Sequence, residues 1–136
     1  MKEIILNKDN INIWVSSDVK YAVNRSIKTA KNLGFTSRKI NEIAIIVSEL
    51  SRNIIKYAST GTITVNLITN CNKKGLEVIA EDYGPGIKDI NLAMKEGYSS
   101  TGTLGMGLSA IKNMSDEFIF DNSRNIGSKF NIIKWL

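Results

Sequence analysis

The sequence contains no histidine. Histidine-based triads, imidazole metal sites and phosphorylation on a histidine of this chain are thereby excluded, and proton transfer falls to carboxylates, lysine or tyrosine. Cysteine occurs once, at Cys71, so neither an internal disulfide nor a cysteine metal cluster can form, and a reduced, cytoplasmic setting is expected. Proline also occurs once, at Pro85. With no internal repeat and no low-complexity tract, one continuous domain over residues 1–136 is expected. No apolar run approaches the roughly 20 residues of a membrane span. The densest, Ile43 to Val47, is broken at once by Ser48 and Glu49. The opening Met-Lys-Glu-Ile-Ile-Leu-Asn-Lys has no long apolar stretch, so a secretory signal is not expected.

What is present suits a compact fold. The 136 residues are 43% hydrophobic and 23% charged, enough to bury a core. The net charge of +5 is unevenly placed: residues 1–40 carry eight Lys/Arg against three Asp/Glu, and the remainder is balanced. Aromatic residues make up only 7% and no basic run is dense, so a nucleic-acid surface is not expected. Lys20, Arg25, Lys28 and Lys31 fall on a helix whose exposed face is either simply solvated or meets an acidic protein.

The pattern predicts one or two opening strands, 3–6 and 11–14. A helix over 19–33 follows, with Ser16-Ser17-Asp18 as its N-cap and Gly34 as its end. A second helix over 38–57 starts from Thr36-Ser37. Residues 62–69 alternate as a half-buried strand, a polar turn spans Asn70 to Gly75, and 76–82 returns as a hairpin. Residues 83–107 then hold most of the ten glycines and the only proline, with a short helical stretch near 90–95. A helix over 106–115 and two strands, 118–122 and 128–135, joined by a turn at 124–127, complete the chain. This order predicts an α+β fold, a two-layer α/β sandwich with a mostly antiparallel sheet and helices on one face.

Three segments carry chemistry. On the second helix, Ile43, Ile46, Val47, Leu50, Ile54 and Tyr57 form one apolar stripe, and Glu49 and Asn53, four residues apart, stack at its edge. A carboxylate beside an amide oxygen suits a general base next to a Mg²⁺ ligand, because Mg²⁺ takes few protein oxygens and fills its octahedron with phosphate and water. In the strand ending at Asp82, alternation points that carboxylate the same way as Leu76, Val78 and Ala80, which is costly without a donor. The exocyclic amine of adenine is such a donor, and Tyr83-Gly84-Pro85-Gly86 allows a tight turn and close approach to a flat ring. Finally Gly102, Gly105 and Gly107 immediately precede a helix, an arrangement whose backbone N–H groups can cradle phosphate. The spacing is neither the dinucleotide fingerprint nor a P-loop.

In this order, E-x-x-x-N, D-x-G-x-G and G-x-x-G-x-G, the motifs resemble the Bergerat ATP-binding fold of gyrase, histidine kinases and MutL, and the resemblance spans nearly the whole chain. It implies ATP and Mg²⁺ as cofactors, Glu49 as the activating group and Asn53 as the metal ligand. It implies that Asp82 reads the adenine amine, with Gly84, Gly86 and Ile87 at the turn. The phosphate lid falls on Gly102, Thr103, Leu104, Gly105, Met106, Gly107 and Leu108. Ser128 stands after Gly127 where the family often has Gly-Thr, and keeps the hydroxyl near the adenine. With no histidine, the chain is most similar to the compact serine/threonine-protein kinases of bacterial partner-switching stress pathways. Ser48 to Ile54, Ala80 to Ile87, Gly97-Tyr98-Ser99 and Lys134-Trp135-Leu136 carry that likeness. Such a kinase phosphorylates a STAS-domain antagonist and, once released, activates a PP2C-type phosphatase. The alternative is an anti-sigma factor of the same group, which binds a sigma factor and phosphorylates its antagonist. Neither implies a membrane or nucleic-acid partner. Arg52 receives no role.

Overall fold

The computed structural model describes residues 4–85, 105–121 and 126–136. The expected helical stretch near 90–95 lies outside them. In chain order the elements are β1 (Ile4–Ile13), α1 (Ser16–Leu33), α2 (Ser37–Ala58), β2 (Gly61–Asn70), β3 (Lys73–Asp82), α3 (Gly105–Met114), β4 (Glu117–Phe120) and β5 (Lys129–Trp135). The strands form one antiparallel sheet in the order β1-β2-β3-β5-β4. The α+β expectation is borne out.

Three differences from the sequence pattern go beyond a residue or two at an element's end, each for a local reason. The opening strands are one strand, because a bulge between Ile5 and Asn7 absorbs the change of phase along β1. Helix α1 starts earlier than expected, with Val15 as its N-cap. Valine has no side-chain acceptor, so Asp18, the third helical residue, reaches back and accepts from the Trp14 and Val15 amides at 2.9 and 3.0 Å. The Val15 amide, then the Trp14 amide, hold the Asp18 carboxyl below the usual carboxylate range. The β2–β3 turn is shorter than expected: Asn70 pairs with Lys73, leaving two loop residues. Cys71, the first of them, has the positive φ of 57° that a primed hairpin turn requires there.

The helices cover one face of the sheet. Ile43, Ile46, Val47, Leu50 and Ile54 of α2 pack with Ile13, Ile63, Val65, Leu76, Val78, Ala80, Phe130 and Ile132 of the sheet, and Leu108 and Ile111 of α3 join them. On α1 the fully buried Ala22, Ser26 and Ala30 recur every fourth residue, which gives that helix a face of small side chains. Its buried Ser26 hydroxyl donates to the Ala22 carbonyl at 2.8 Å, and Ser51 of α2 does the same to Val47 at 2.6 Å. Lys134, only 6% exposed, projects from β5 to Glu42 Oε1 of α2 at 2.8 Å. Its Nζ also donates to the Met114 carbonyl at the C-terminal end of α3, at 2.7 Å. One buried cation thus ties both helices that bear on the site to the sheet.

On the opposite face, Glu77 accepts from Asn66 at 2.9 Å and from Asn131 at 3.3 Å, a polar ladder across three strands. Thr64 and Asn66 are therefore buried, and β2 is covered on both faces rather than half-buried. Among the described residues no helix is long and apolar enough to cross a membrane.

Candidate active site

Helix α2 is the spine of the site. Its hydrophobic stripe faces the sheet, which leaves Glu49 and Asn53 on the flank at the core border. The Glu49 side chain is 33% exposed and accepts from Arg52 Nη1 at 3.5 Å, a long contact one turn away. On its other side lies the start of α3. A Cβ placed on Gly107 would stand 3.0 Å from Glu49 Oε2, so the second residue after the start of α3 passes directly against the carboxylate. Any side chain there would push the carboxylate aside. The first turn of α3 carries N–H groups without an intrahelical partner, a favourable place for anionic oxygen.

Asp82 closes the other end. The alternation of β3 holds as expected: Asp82 lies on the same face as Leu76, Val78 and Ala80 and is 8% exposed. Its donors, however, come from this chain as well. Oδ1 accepts from the Gly84 amide at 3.0 Å and the Ser128 amide at 3.3 Å, and Oδ2 accepts from the Ser128 hydroxyl at 2.7 Å. These bonds offset the burial of the carboxylate and orient it before any ligand arrives. Ser128 is brought in by β5, which pairs with β3, and the Asp82 amide donates to the Ser128 carbonyl at 3.0 Å.

Two glycines make this junction possible. Gly84 has no room for a side chain because a Cβ would stand 2.6 Å from Ala58 Cβ and 2.8 Å from Ala58 Cα, at the end of α2. It is needed for packing against α2, a reason the turn motif alone does not disclose. Gly127 has a φ of 76°, and its Cβ would lie 1.9 Å from the Asp82 carbonyl oxygen. The sequence pattern gives Gly127 only as the end of a turn and the residue before Ser128; its approach to the Asp82 carbonyl comes from the pairing of β5 with β3.

Of the expected site residues, the structure brings together Glu49 with Gly107, Asp82 with Gly84 and Ser128, and strings Asn53 between the two groups along α2. Gly105 and Met106 open α3, and Leu108 is buried in the core just beyond Gly107. Gly86, Ile87, Gly102, Thr103 and Leu104 lie outside the described residues. From Glu49 to Ala58 the helix rises about 14 Å, at 1.5 Å per residue, a length comparable with an extended nucleoside triphosphate. Among the described residues no group of three or more acidic, Cys or His side chains could hold a metal ion. The oxygens on this flank, the Glu49 carboxylate and the Asn53 amide, are hard donors that fit a Mg²⁺ drawing its remaining ligands from phosphate and water.

Residues 18–133 match the histidine kinase-like ATPase domain. The chain belongs to that family. It is 40% identical over 126 residues to the serine/threonine-protein kinase RsbT of Bacillus subtilis, covering 93% of this chain and 95% of that one. At that identity and coverage the activity class is shared, and the chain is a serine/threonine-protein kinase that uses ATP. The fold of the kinase is also that of solved structures at lower identity. The crystal structure of the SiaB-SiaC complex from Pseudomonas aeruginosa matches with a TM-score of 0.62 at 13% identity, over 97% of this chain and 91% of that one. The mycobacterial sensor histidine kinase MprB matches with a TM-score of 0.56 at 15% identity, over 95% and 97% of the two chains. The kinase itself contains no histidine to phosphorylate, so what it shares with a histidine kinase is the ATP-binding fold.

Proposed function

We propose that this kinase transfers the γ-phosphoryl group of ATP to a serine or threonine of a STAS-domain antagonist protein, and that in its released form it activates a PP2C-type phosphatase in a cytoplasmic partner-switching pathway. The observation that supports the chemistry is the alignment along α2. Glu49 stands at the α3 N-terminus, Asn53 one turn on, and the Asp82–Ser128 pair at the far end, the order of acceptor, metal and base along a bound ATP. The choice of partner is supported by the likeness to RsbT over nearly the whole of both chains.

In this reading Asp82 and Ser128 read the adenine edge and Gly84 lets the turn lie close to it. Asn53 would hold Mg²⁺, which when bound neutralises phosphate charge. Glu49 orients the partner's hydroxyl and takes its proton as the oxygen attacks the γ-phosphorus and the bond to the ADP oxygen breaks. Positioning and charge neutralisation supply most of the rate.

The test is capture of partners from a native extract with and without ATP, followed by their identification by mass. A STAS-domain protein and a phosphatase are the expected catch, and a sigma factor instead would replace this reading by the anti-sigma one. The metal assignment has its own check. The change Asn53→Ala is expected to weaken Mg-ATP by about tenfold or more in calorimetric titration, the loss of roughly one charge-assisted contact, while affinity measured in EDTA changes little. Equal affinity for Mg-ATP in both proteins would remove Asn53 from the site.

A further inference from the structure

Arg52 has no part in the chemistry described so far, yet its position links the site to an outer groove. On α2, Ile45, Glu49 and Arg52 fall on one side of the helix at about 100° per residue, turned away from the core stripe. Arg52 is 66% exposed along its side chain and Ile45 is 47% exposed, an apolar and a cationic group flanking the carboxylate. Arg52 also lines the groove between α1 and α2, a space of about 330 Å³ bounded by Val19, Lys20, Val23, Asn24, Ser48 and Arg52. The valines make an apolar wall, Asn24 and Ser48 offer uncharged polar groups, and both charged residues are cations. Through Arg52 the groove adjoins Glu49, and among the described residues it carries positive charge without a lining carboxylate to offset it. Helix α1, its other wall, belongs to the segment that holds the whole net charge of +5.

We infer that this groove docks the segment of the protein substrate next to its phosphoacceptor hydroxyl, and that Arg52 and Lys20 recognise an acidic side chain there. The inference rests on Glu49 being the group that receives the hydroxyl proton. The contact of Arg52 with Glu49, at 3.5 Å, is long and solvent-exposed, so it is worth little and yields readily to a closer carboxylate. An arriving Asp or Glu draws the guanidinium towards the groove, leaves the Glu49 carboxylate to the hydroxyl, and sets the hydroxyl beside it. Arg52 is thus a specificity-determining residue, with Lys20 adding longer-range attraction across the groove.

The experiment first labels a native extract with the kinase and a γ-thiophosphate ATP analogue, to isolate the acceptor protein that then serves as the probe. Absence of any labelled protein would overturn the kinase–acceptor reading and this inference with it. With the acceptor in hand, Arg52→Gln is expected to raise its KM by about tenfold or more and Lys20→Gln by about threefold, both losses shrinking at high salt, with the Kd for Mg-ATP within about twofold of the original. Charge reversal supplies the decisive arm: Arg52→Glu, poor on the native acceptor, is expected to regain about tenfold on an acceptor whose nearest Asp or Glu is changed to Lys. An unchanged acceptor KM, or failure of that rescue with both proteins folded, overturns the docking inference alone. A fall in Mg-ATP affinity in Arg52→Gln also overturns it, because Arg52 would then serve the nucleotide phosphates.

Discussion

Replacing Glu49 by glutamine is expected to reduce phosphoryl transfer by about 10²-fold or more, the usual contribution of a general base, while Mg-ATP binding stays within about twofold. The substitution keeps the size of the side chain, so the space against Gly107 is still filled and α3 is undisturbed. It removes only the ability to take a proton and the negative charge. Measured transfer to the acceptor protein, together with calorimetric binding of Mg-ATP, separates the two roles a carboxylate can have here. Loss of binding would make Glu49 a nucleotide or metal ligand rather than a base. Full transfer activity would move the base elsewhere. The change Glu49→Ala is the weaker experiment, since it also empties the contact with Gly107 and removes the partner of Arg52.

The second large effect is expected at Gly127. Gly127→Ala should destabilise the protein by roughly 3 kcal/mol or more, combining left-handed backbone strain with overpacking, and lower its Tm by something on the order of 10 °C. The cause is visible in a comparison with Gly34. Both glycines have left-handed φ, 76° and 101°, but a Cβ on Gly34 meets nothing within 4 Å, whereas on Gly127 it meets the Asp82 carbonyl oxygen at 1.9 Å. That oxygen belongs to a strand and cannot swing away as a side chain would. Gly34→Ala therefore carries the dihedral strain alone and is expected to cost about 1 kcal/mol. Thermal unfolding of the two variants side by side checks this, and equal losses would show that the close approach is not what Gly127 is for. Relief of the clash would have to separate Ser128 from Asp82, so residual folded Gly127→Ala is also expected to bind ATP poorly.

The site was legible in the sequence to the extent that it is local. Four residues on a helix are one turn, so Glu49 and Asn53 had to share a flank once α2 formed. Strand alternation had to turn Asp82 inward with Leu76, Val78 and Ala80. Local rules failed at the edges of elements, where several groups can satisfy the same donors. Asp18 accepts from amides four and five residues ahead of the expected helix start at residue 19, and the β2–β3 turn closes on two residues although the stretch from Asn70 to Gly75 offered six.

Fold class, the two principal helices and the order of the nucleotide motifs were determined by the sequence itself, because periodicity and turn chemistry act over a few residues. Which groups meet was decided only by the tertiary structure. Pairing of β3 with β5 brings Ser128 to Asp82 across 46 positions of sequence. Packing of α3 on α2 sets Gly107 against Glu49, and Lys134 joins α2 and the end of α3 to the sheet. These contacts depend on strand order and helix docking, and no short window of sequence contains both partners. The site is therefore written in local motifs, but its geometry is a property of the assembled sheet.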